Sequence, residues 1–248
     1  MAQLNGSEIL AKALKREGVD ELFFLMGGPM LAAESASIKE GIRCIDVRHE
    51  QAAAMMAQAY SRLQQRPGVC MAASGPATIN LSTGLANALI DCCPVVALGG
   101  ASPILGNGKQ VFQEIDQMEI MSGCVKFAAR VHDAHRIPEM LNTAMQRAMS
   151  GKPGPVYLDL PGDVLYQMVD EYKVNWALSG RSILGSRPPA NEGQIETLVQ
   201  ALSKAERPVI LSGSGIIWSQ AWEELHALVD AAGIPFYTTP QGLSLIHI

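Results

Sequence analysis

Aromatic side chains are scarce in this 248-residue chain: three Trp, five Tyr and five Phe, 5% of the whole. Together with twelve Met and abundant Ala, this excludes an aromatic-rich β-sandwich and favours a small-residue α/β core. Charged residues are also few at 17%, while hydrophobic residues reach 48%, which excludes a disordered chain. The net charge is −5 with a pI near 5.5, and no Lys/Arg cluster interleaves with aromatics. Nucleic acid is therefore not an expected partner. No CxxC pair occurs, and Cys92 and Cys93 are adjacent, a spacing that suits neither a zinc site nor a disulfide framework. Cys44, Cys70, Cys92, Cys93 and Cys124 all sit among apolar or small residues and read as buried free thiols of a reducing compartment.

Other familiar signatures are missing as well. Met1 to Gly6 lacks the basic start and apolar stretch of a secretory signal. Pro67 to Ile90 carries no charge, but Ser74-Gly75-Pro76, Thr78, Asn80, Ser82 and Thr83 interrupt it, so it reads as strand, loop and helix and not as a membrane span. A cytoplasmic protein is expected. GxSxG, Walker A and GxGxxG motifs do not occur. His132 and His135 lack Cys or carboxylate partners at metal-ligand spacing, so they read as solvated and no metal ligands are assigned.

Short apolar runs alternating with amphipathic stretches are what the chain does have. Ser7–Arg16 reads as a helix capped by Ser7, with Ile9, Leu10 and Leu14 as its stripe. Strands are expected over 21–25, 43–47, 69–73, 95–98 and 156–160, and helices over 30–40, 50–63, 78–90 and 138–149. Such alternation builds right-handed βαβ units, hence a doubly wound parallel sheet covered on both faces. This domain is expected over residues 1–172. A Ser/Gly/Arg/Pro-rich linker spans 173–191, and an incomplete second α/β, Rossmann-like domain occupies 192–242. Residues 243–248 read as foreign to the rest. In the second domain, helices are expected over 193–204 and 220–232 and strands over 208–211 and 235–238, with a Ser212-Gly213-Ser214-Gly215 turn between them.

Two segments fall just past expected strands, where parallel sheets form ligand crevices. Arg48-His49-Glu50-Gln51 opens a helix, and a carboxylate in a first turn is also explained by the helix macrodipole alone. Ser74-Gly75-Pro76-Ala77-Thr78-Ile79-Asn80 is either a tight turn at a site or a plain sharp connection. Gly106–Gln117, which contains Phe112-Gln113-Glu114, is long enough for a functional loop and equally for a surface one.

Taken in order, Gly27-Gly28-Pro29, Arg48-His49-Glu50-Gln51-Ala52-Ala53, Arg66-Pro67-Gly68-Val69, Ser74-Gly75-Pro76 to Asn80, Ala86-Asn87-Ala88, Phe112-Gln113-Glu114 to Asp116, Gly151-Lys152-Pro153-Gly154-Pro155-Val156 and Asp159-Leu160-Pro161-Gly162-Asp163 resemble the pyrimidine-binding (PYR) domain of thiamine diphosphate enzymes. The group is that of acetolactate synthase and the 2-oxoacid decarboxylases, with a texture similar to 2-hydroxyacyl-CoA lyase and oxalyl-CoA decarboxylase. Pro208 to Gly215 resembles the start of the family's central domain, and the pattern runs to Gly242.

The resemblance implies that Glu50 is the catalytic glutamate, hydrogen-bonded to the cofactor's aminopyrimidine ring. It implies that Gly27, Gly28, Ser74, Gly75, Pro76 and Asn80 line the cofactor pocket, and that Phe112 and Gln113 face the cofactor or substrate. It further implies thiamine diphosphate with Mg²⁺, the metal being held by a C-terminal domain with Gly-Asp-Gly and a later Asn, a pattern this chain does not contain. The chain is thus expected to be the N-terminal part of an enzyme, inactive alone, with FAD or a nucleotide in the central domain unsupported. The implied activity makes or breaks C–C bonds beside a 2-oxo carbonyl, on a small 2-oxo acid or, alternatively, an acyl-CoA. A second subunit in a homodimer or tetramer would complete the site. The alternative of another class is a non-catalytic PYR subunit that needs a separate partner chain. Two positions depart from the family's usual Pro-Gly and Ser-Gly-Pro-Gly: Gly27, and Ala77, where a methyl would be strained if the turn needs a positive φ there.

Overall fold

A computed structural model describes residues 3–176 and 189–247, with the backbone alone over 244–247. Two compact units are present, Met1–Leu184 and Gly185–Ile248. Most of the expected linker, residues 177–188, lies outside the described residues.

The first unit runs β1 (Gln3–Asn5), α1 (Gly6–Arg16), β2 (Glu21–Phe24), α2 (Leu31–Lys39), β3 (Arg43–Asp46), α3 (Glu50–Gln64), β4 (Gly68–Ala72), α4 (Pro76–Asn80), α5 (Ser82–Ile90), β5 (Val95–Ala101), α6 (Gln117–Ser122), β6 (Phe127–Arg130), α7 (Ile137–Met149), β7 (Val156–Pro161), α8 (Gly162–Tyr166) and β8 (Met168–Asp170). Six strands form one parallel sheet in the order β3-β2-β4-β5-β7-β6, the doubly wound arrangement expected, and β1 pairs antiparallel with β8.

Side chains alternate across this sheet with period two. Leu22 and Phe24, Val69 and Met71, Val96 and Leu98, and Val156, Leu158 and Leu160 join Ile9, Leu10 and Leu14 of α1 and Ile137, Leu141 and Met145 of α7 in one buried cluster. The opposite face carries Phe23 and Tyr157 beside the small Cys70, Ala72 and Ala97, and its helices approach closely. A Cβ on Gly68 would lie 2.0 Å from the Ala57 carbonyl oxygen, and one on Gly84 would lie 2.5 Å from the Ala54 Cβ. The Ala-rich sequence of α3 is what lets this helix lie so close to β4 and α5.

Several expectations are corrected. Asn5, not Ser7, caps α1: its side chain accepts from the Glu8 amide while Glu8 bonds back to the Asn5 amide, a capping box. Ser7 is buried inside the helix and donates to the Leu165 carbonyl at 3.2 Å. The helix expected over 78–90 divides at Leu81, whose amide bonds to the Thr78 carbonyl three residues back. Strand β5 continues past Leu98 because Gly99, Gly100 and Ala101 keep pairing with Asp159, Leu160 and Pro161 of β7, and the two glycines face close neighbours. A Cβ at Gly99 would sit 2.6 Å from the Tyr157 hydroxyl, and one at Gly100 would sit 2.9 Å from Pro29. Strands β1, β6 and β8 and helices α6 and α8, all short, carry too few residues for a period to show. Of the cysteines only Cys70 and Cys93 are buried, while Cys44, Cys92 and Cys124 are half-buried. His132 is exposed, and His135 is half-buried with Nδ1 2.7 Å from Asp133.

The second unit contains α9 (Glu192–Lys204), β9 (Ile210–Ser212), α10 (Gly215–Ser219), α11 (Trp222–Ala232) and β10 (Phe236–Thr238), with β9 and β10 parallel. A 3-10 helix covers Pro240–His247. The helix at 215–219 replaces the open turn expected after Ser214.

Candidate active site

The carboxyl ends of the sheet strands open into a cleft of about 760 Å³. Met26, Gly27, Gly28 and Pro29 follow β2, Ala73, Ser74 and Ala77 follow β4, Ser102 and Pro103 follow β5, and Gly162, Asp163 and Tyr166 follow β7. Glu50, the first residue of α3, and Val111, Phe112 and Gln113 complete the walls. The chain winds to β3 on one side of β2 and to β4 on the other, so the cleft includes the topological switch point of the sheet.

Glu50 is 7% exposed. Its Oε2 accepts from Asn80 Nδ2 at 2.9 Å, and Oε1 has no hydrogen-bond partner among the described residues. One carboxyl oxygen is thereby held from behind, and the other is available to the cleft. Glu50 and Asp163 are the ionisable carboxyl groups of the lining, and no Lys or Arg belongs to it.

The Ser74–Gly75 turn forms the opposite wall. Gly75 has φ +59°, and a Cβ there would fall 2.5 Å from the Gln113 carbonyl oxygen, so glycine is required on both counts. Ser74 Oγ donates to Gln113 Oε1 at 2.7 Å, and Gln113 itself has φ +59°. The loop before Gln113 is stitched by Glu114, which accepts from the amides of Gly108 and, at 3.1 Å, Val111. The Gly108 amide is the main cause that holds the Glu114 carboxyl below its ordinary range. Phe112 is 85% exposed at the rim.

Behind the wall lies a buried polar network. Gln117, Tyr157 and Asp159 are each at most 2% exposed, and Asp159 is paired with Arg130. Burial, with Asp159 beside it, pushes the Tyr157 hydroxyl well above its ordinary range.

Both departures from the family pattern have a local reason. Ala77 stands in the first turn of α4, and the positive φ falls on Gly75 instead, so the methyl is unstrained. At Gly27 a Cβ would lie 2.5 Å from the Ala73 Cβ, which leaves no room for a larger residue.

Of the residues singled out by sequence, Gly27, Gly28, Glu50, Ser74, Phe112 and Gln113 line one cleft. Three others do not line it. Gly75 is buried with its amide turned to Gln117, Pro76 is exposed at the start of α4, and Asn80 reaches the site only through Glu50. The sequence reading gave no site role to Gln117, Tyr157, Arg130, Asp163 or Tyr166, although Asp163 stood in a quoted motif and Gln117 at the end of the candidate loop. Asp159 carried a signal, since a carboxylate inside an apolar strand must find partners when buried.

Against known families, residues 4–120 match "Thiamine pyrophosphate enzyme, N-terminal TPP binding domain", and residues 195–247 match "Thiamine pyrophosphate enzyme, central domain". The chain belongs to the thiamine pyrophosphate enzyme family. The central-domain match continues past Gly242, where the family pattern was expected to stop. Among curated relatives, the chain is 35% identical to 2-hydroxyacyl-CoA lyase of Arabidopsis thaliana, over 98% of this chain and 43% of that protein. It is 38% identical to a probable acetolactate synthase large subunit of Methanococcus aeolicus, over 98% of this chain and 41% of the relative. To human 2-hydroxyacyl-CoA lyase 1 the identity is 32%, over 98% and 42%. The chain spans about two fifths of the length of these relatives. Among the described residues, no group of three or more His, Cys, Asp or Glu is placed to hold a metal ion, and no helix is long and apolar enough to cross a membrane.

Proposed function

We propose that this chain is the PYR and early central portion of a thiamine diphosphate enzyme that makes or breaks a C–C bond beside a 2-oxo carbonyl, acetolactate synthase-like in its chemistry. The observation that carries this reading is Glu50, buried at the cleft with one carboxyl oxygen backed by Asn80 and the other without a partner among the described residues. The lining chemistry fits the uncharged end of the cofactor. The cleft has the size of a small-molecule site, with small and apolar walls, and no cation that could neutralise a diphosphate. Diphosphate and Mg²⁺ are therefore assigned to a C-terminal domain, with a second subunit in a homodimer or tetramer completing the site.

When bound, thiamine diphosphate supplies the electron sink for bond making and breaking. The protein's part is proton placement and orientation. Glu50 is placed to hold a proton at a ring nitrogen, and Asn80 fixes the direction of its carboxyl group. Ser74 holds the Gln113 amide oxygen, which leaves the Gln113 Nε2 hydrogens as donors toward a substrate oxygen. Phe112 and Tyr166 stand exposed at the rim and add apolar surface against which a bound ligand can pack.

Relatives of both kinds support two substrate classes, a 2-oxo acid and, as the second reading, an acyl-CoA. We assign the PYR domain to residues 1–172 and the compartment to the cytoplasm. In a full-length enzyme carrying this chain, Glu50→Gln slows hydrogen–deuterium exchange at C2 of thiamine diphosphate by about 10²–10⁴-fold, the usual worth of a positioned acid or base. Wild-type exchange in that variant removes Glu50 from the mechanism. Assay with pyruvate against a 2-hydroxyacyl-CoA separates the two substrate classes. A full-length protein inert to both, yet activated by a separate chain, is a non-catalytic PYR subunit.

A further inference from the structure

Gln117 opens α6 at the far end of the Phe112–Gln113 loop, and its side chain points away from the cleft. It is 2% exposed, and both ends of its amide are engaged. Oε1 accepts from the Gly75 amide at 2.9 Å. Nε2 faces the Gly100 carbonyl at 2.8 Å, the Tyr157 hydroxyl oxygen at 2.8 Å and Asp159 Oδ1 at 2.6 Å. Tyr157 spends its own proton on Asp159 Oδ1 at 2.6 Å, so its oxygen is left to accept.

The orientation of this amide is dictated. Arg130 pairs with the other oxygen of Asp159, which fixes an acceptor-only carboxylate against Gln117. A flipped amide would set Oε1 against that carboxylate and Nε2 against the Gly75 N–H, two repulsive contacts in a buried site. Oε1 therefore has to face Gly75. Once the Gly75 amide is held, the turn stays at φ +59° and Gln113 packs over the glycine with no room for a Cβ. Ser74, on the same turn, takes the Gln113 Oε1.

We propose that Gln117 is a positioning residue for the cleft: through the Gly75 amide, and with Tyr157, Asp159 and Arg130 behind it, it sets the Ser74–Gly75 turn and the direction of the Gln113 side-chain amide. The functional weight of this assignment rests on the thiamine diphosphate reading above. Its structural content does not.

The test is proton NMR of the 248-residue chain. In the unaltered protein the Gly75 amide and the Gln117 Nε2 protons exchange with solvent at least about a hundredfold more slowly than in an unstructured peptide. Exchange at unstructured rates overturns the proposal without recourse to any variant. In Gln117→Leu the Gly75 amide exchanges about tenfold faster, the loss of one hydrogen bond, and the Gln113 side-chain amide signals shift while β4 and β5 keep wild-type protection. A Gln117→Leu protein with β5 protected and Gly75 and Gln113 unchanged shows that Gln117 only fills space, and overturns the assignment. If that variant fails to fold, Tyr157→Phe is the substitute. It removes one acceptor of the amide, and the Gln113 signals shift in the same direction by less; no shift overturns the proposal. The cofactor reading is tested separately, by C2 exchange in the full-length Glu50→Gln enzyme, whereas the Gln117 assignment stands or falls on the amide exchange rates of this chain.

Discussion

The two units of this chain are written in the same pattern of short apolar strands and amphipathic helices, and they differ in what that pattern buries. In Met1–Leu184, strands β4, β5 and β7 are buried along their whole length. In Gly185–Ile248 the buried apolar side chains among the described residues are Ile217 and Ile234. Helix α9 carries Ile195, Leu198 and Val199 at helical spacing, each about half exposed. Two parallel strands cannot supply two covered faces, whereas six strands in the order β3-β2-β4-β5-β7-β6 do. An amphipathic stripe specifies that a helix has an inward face, and the number of paired strands decides whether there is an inside for it to face.

Substitution breaks or sharpens this comparison most strongly at matched leucines. Leu98→Ala, at a fully buried position in β5, lowers the stability of the first unit by about 2–5 kcal/mol in urea unfolding. Leu198→Ala, 58% exposed in α9, changes stability by about 0.5 kcal/mol or less. Equal losses at the two sites would mean that α9 is covered in solution and that the contrast between the units is lost.

Within the first unit the same contrast separates core from rim, and thiol alkylation at pH 8 reads it. Burial pushes the Cys70 thiol up to about 12, and the Cys44 thiol, half-buried near Glu34, up to about 11. Each step of one pKa unit leaves about tenfold less thiolate. The half-buried Cys92 and Cys124 should be labelled first and Cys70 last, by mass spectrometry of the folded chain. Cys70 labelled together with Cys92 would show that the sheet opens far more readily than its burial implies.

A smaller effect belongs to the loop over the cleft. The Gly108 and Val111 amides hold the Glu114 carboxyl below its ordinary 4.5, so the folded form favours the carboxylate. This contribution is full above pH 4.5 and is lost as the pH falls through the lower folded value. The Gly108 and Val111 amide signals should titrate with a midpoint below 4.5 and stay flat in Glu114→Gln. A midpoint at or above 4.5 would separate Glu114 from the loop.

Much of the first unit was legible because its long elements obey one period each. The Ile9, Leu10, Leu14 stripe, the Ala-rich run after Glu50 and the apolar run at 95–98 each announced an element that the structure contains. Glu50, Ser74 and Gln113 could be placed at strand ends or in a long loop by their neighbours in sequence. The polar network behind them could not. Gln117 and Asp159 are 42 residues apart, and Arg130 and Asp159 are 29 apart, so no local pattern relates them.

The order of the long strands and helices and the parallel sheet were thus written in the sequence, because hydrophobic periodicity and turn chemistry act over a few residues, while Glu50 was singled out by the family resemblance. Only the tertiary structure decided that Gly75 turns inward, that Asn80 serves Glu50 from behind, and that Gln117 has a single allowed orientation. Those outcomes depend on which groups a closed interior forces together, where each buried donor must find an acceptor across the fold.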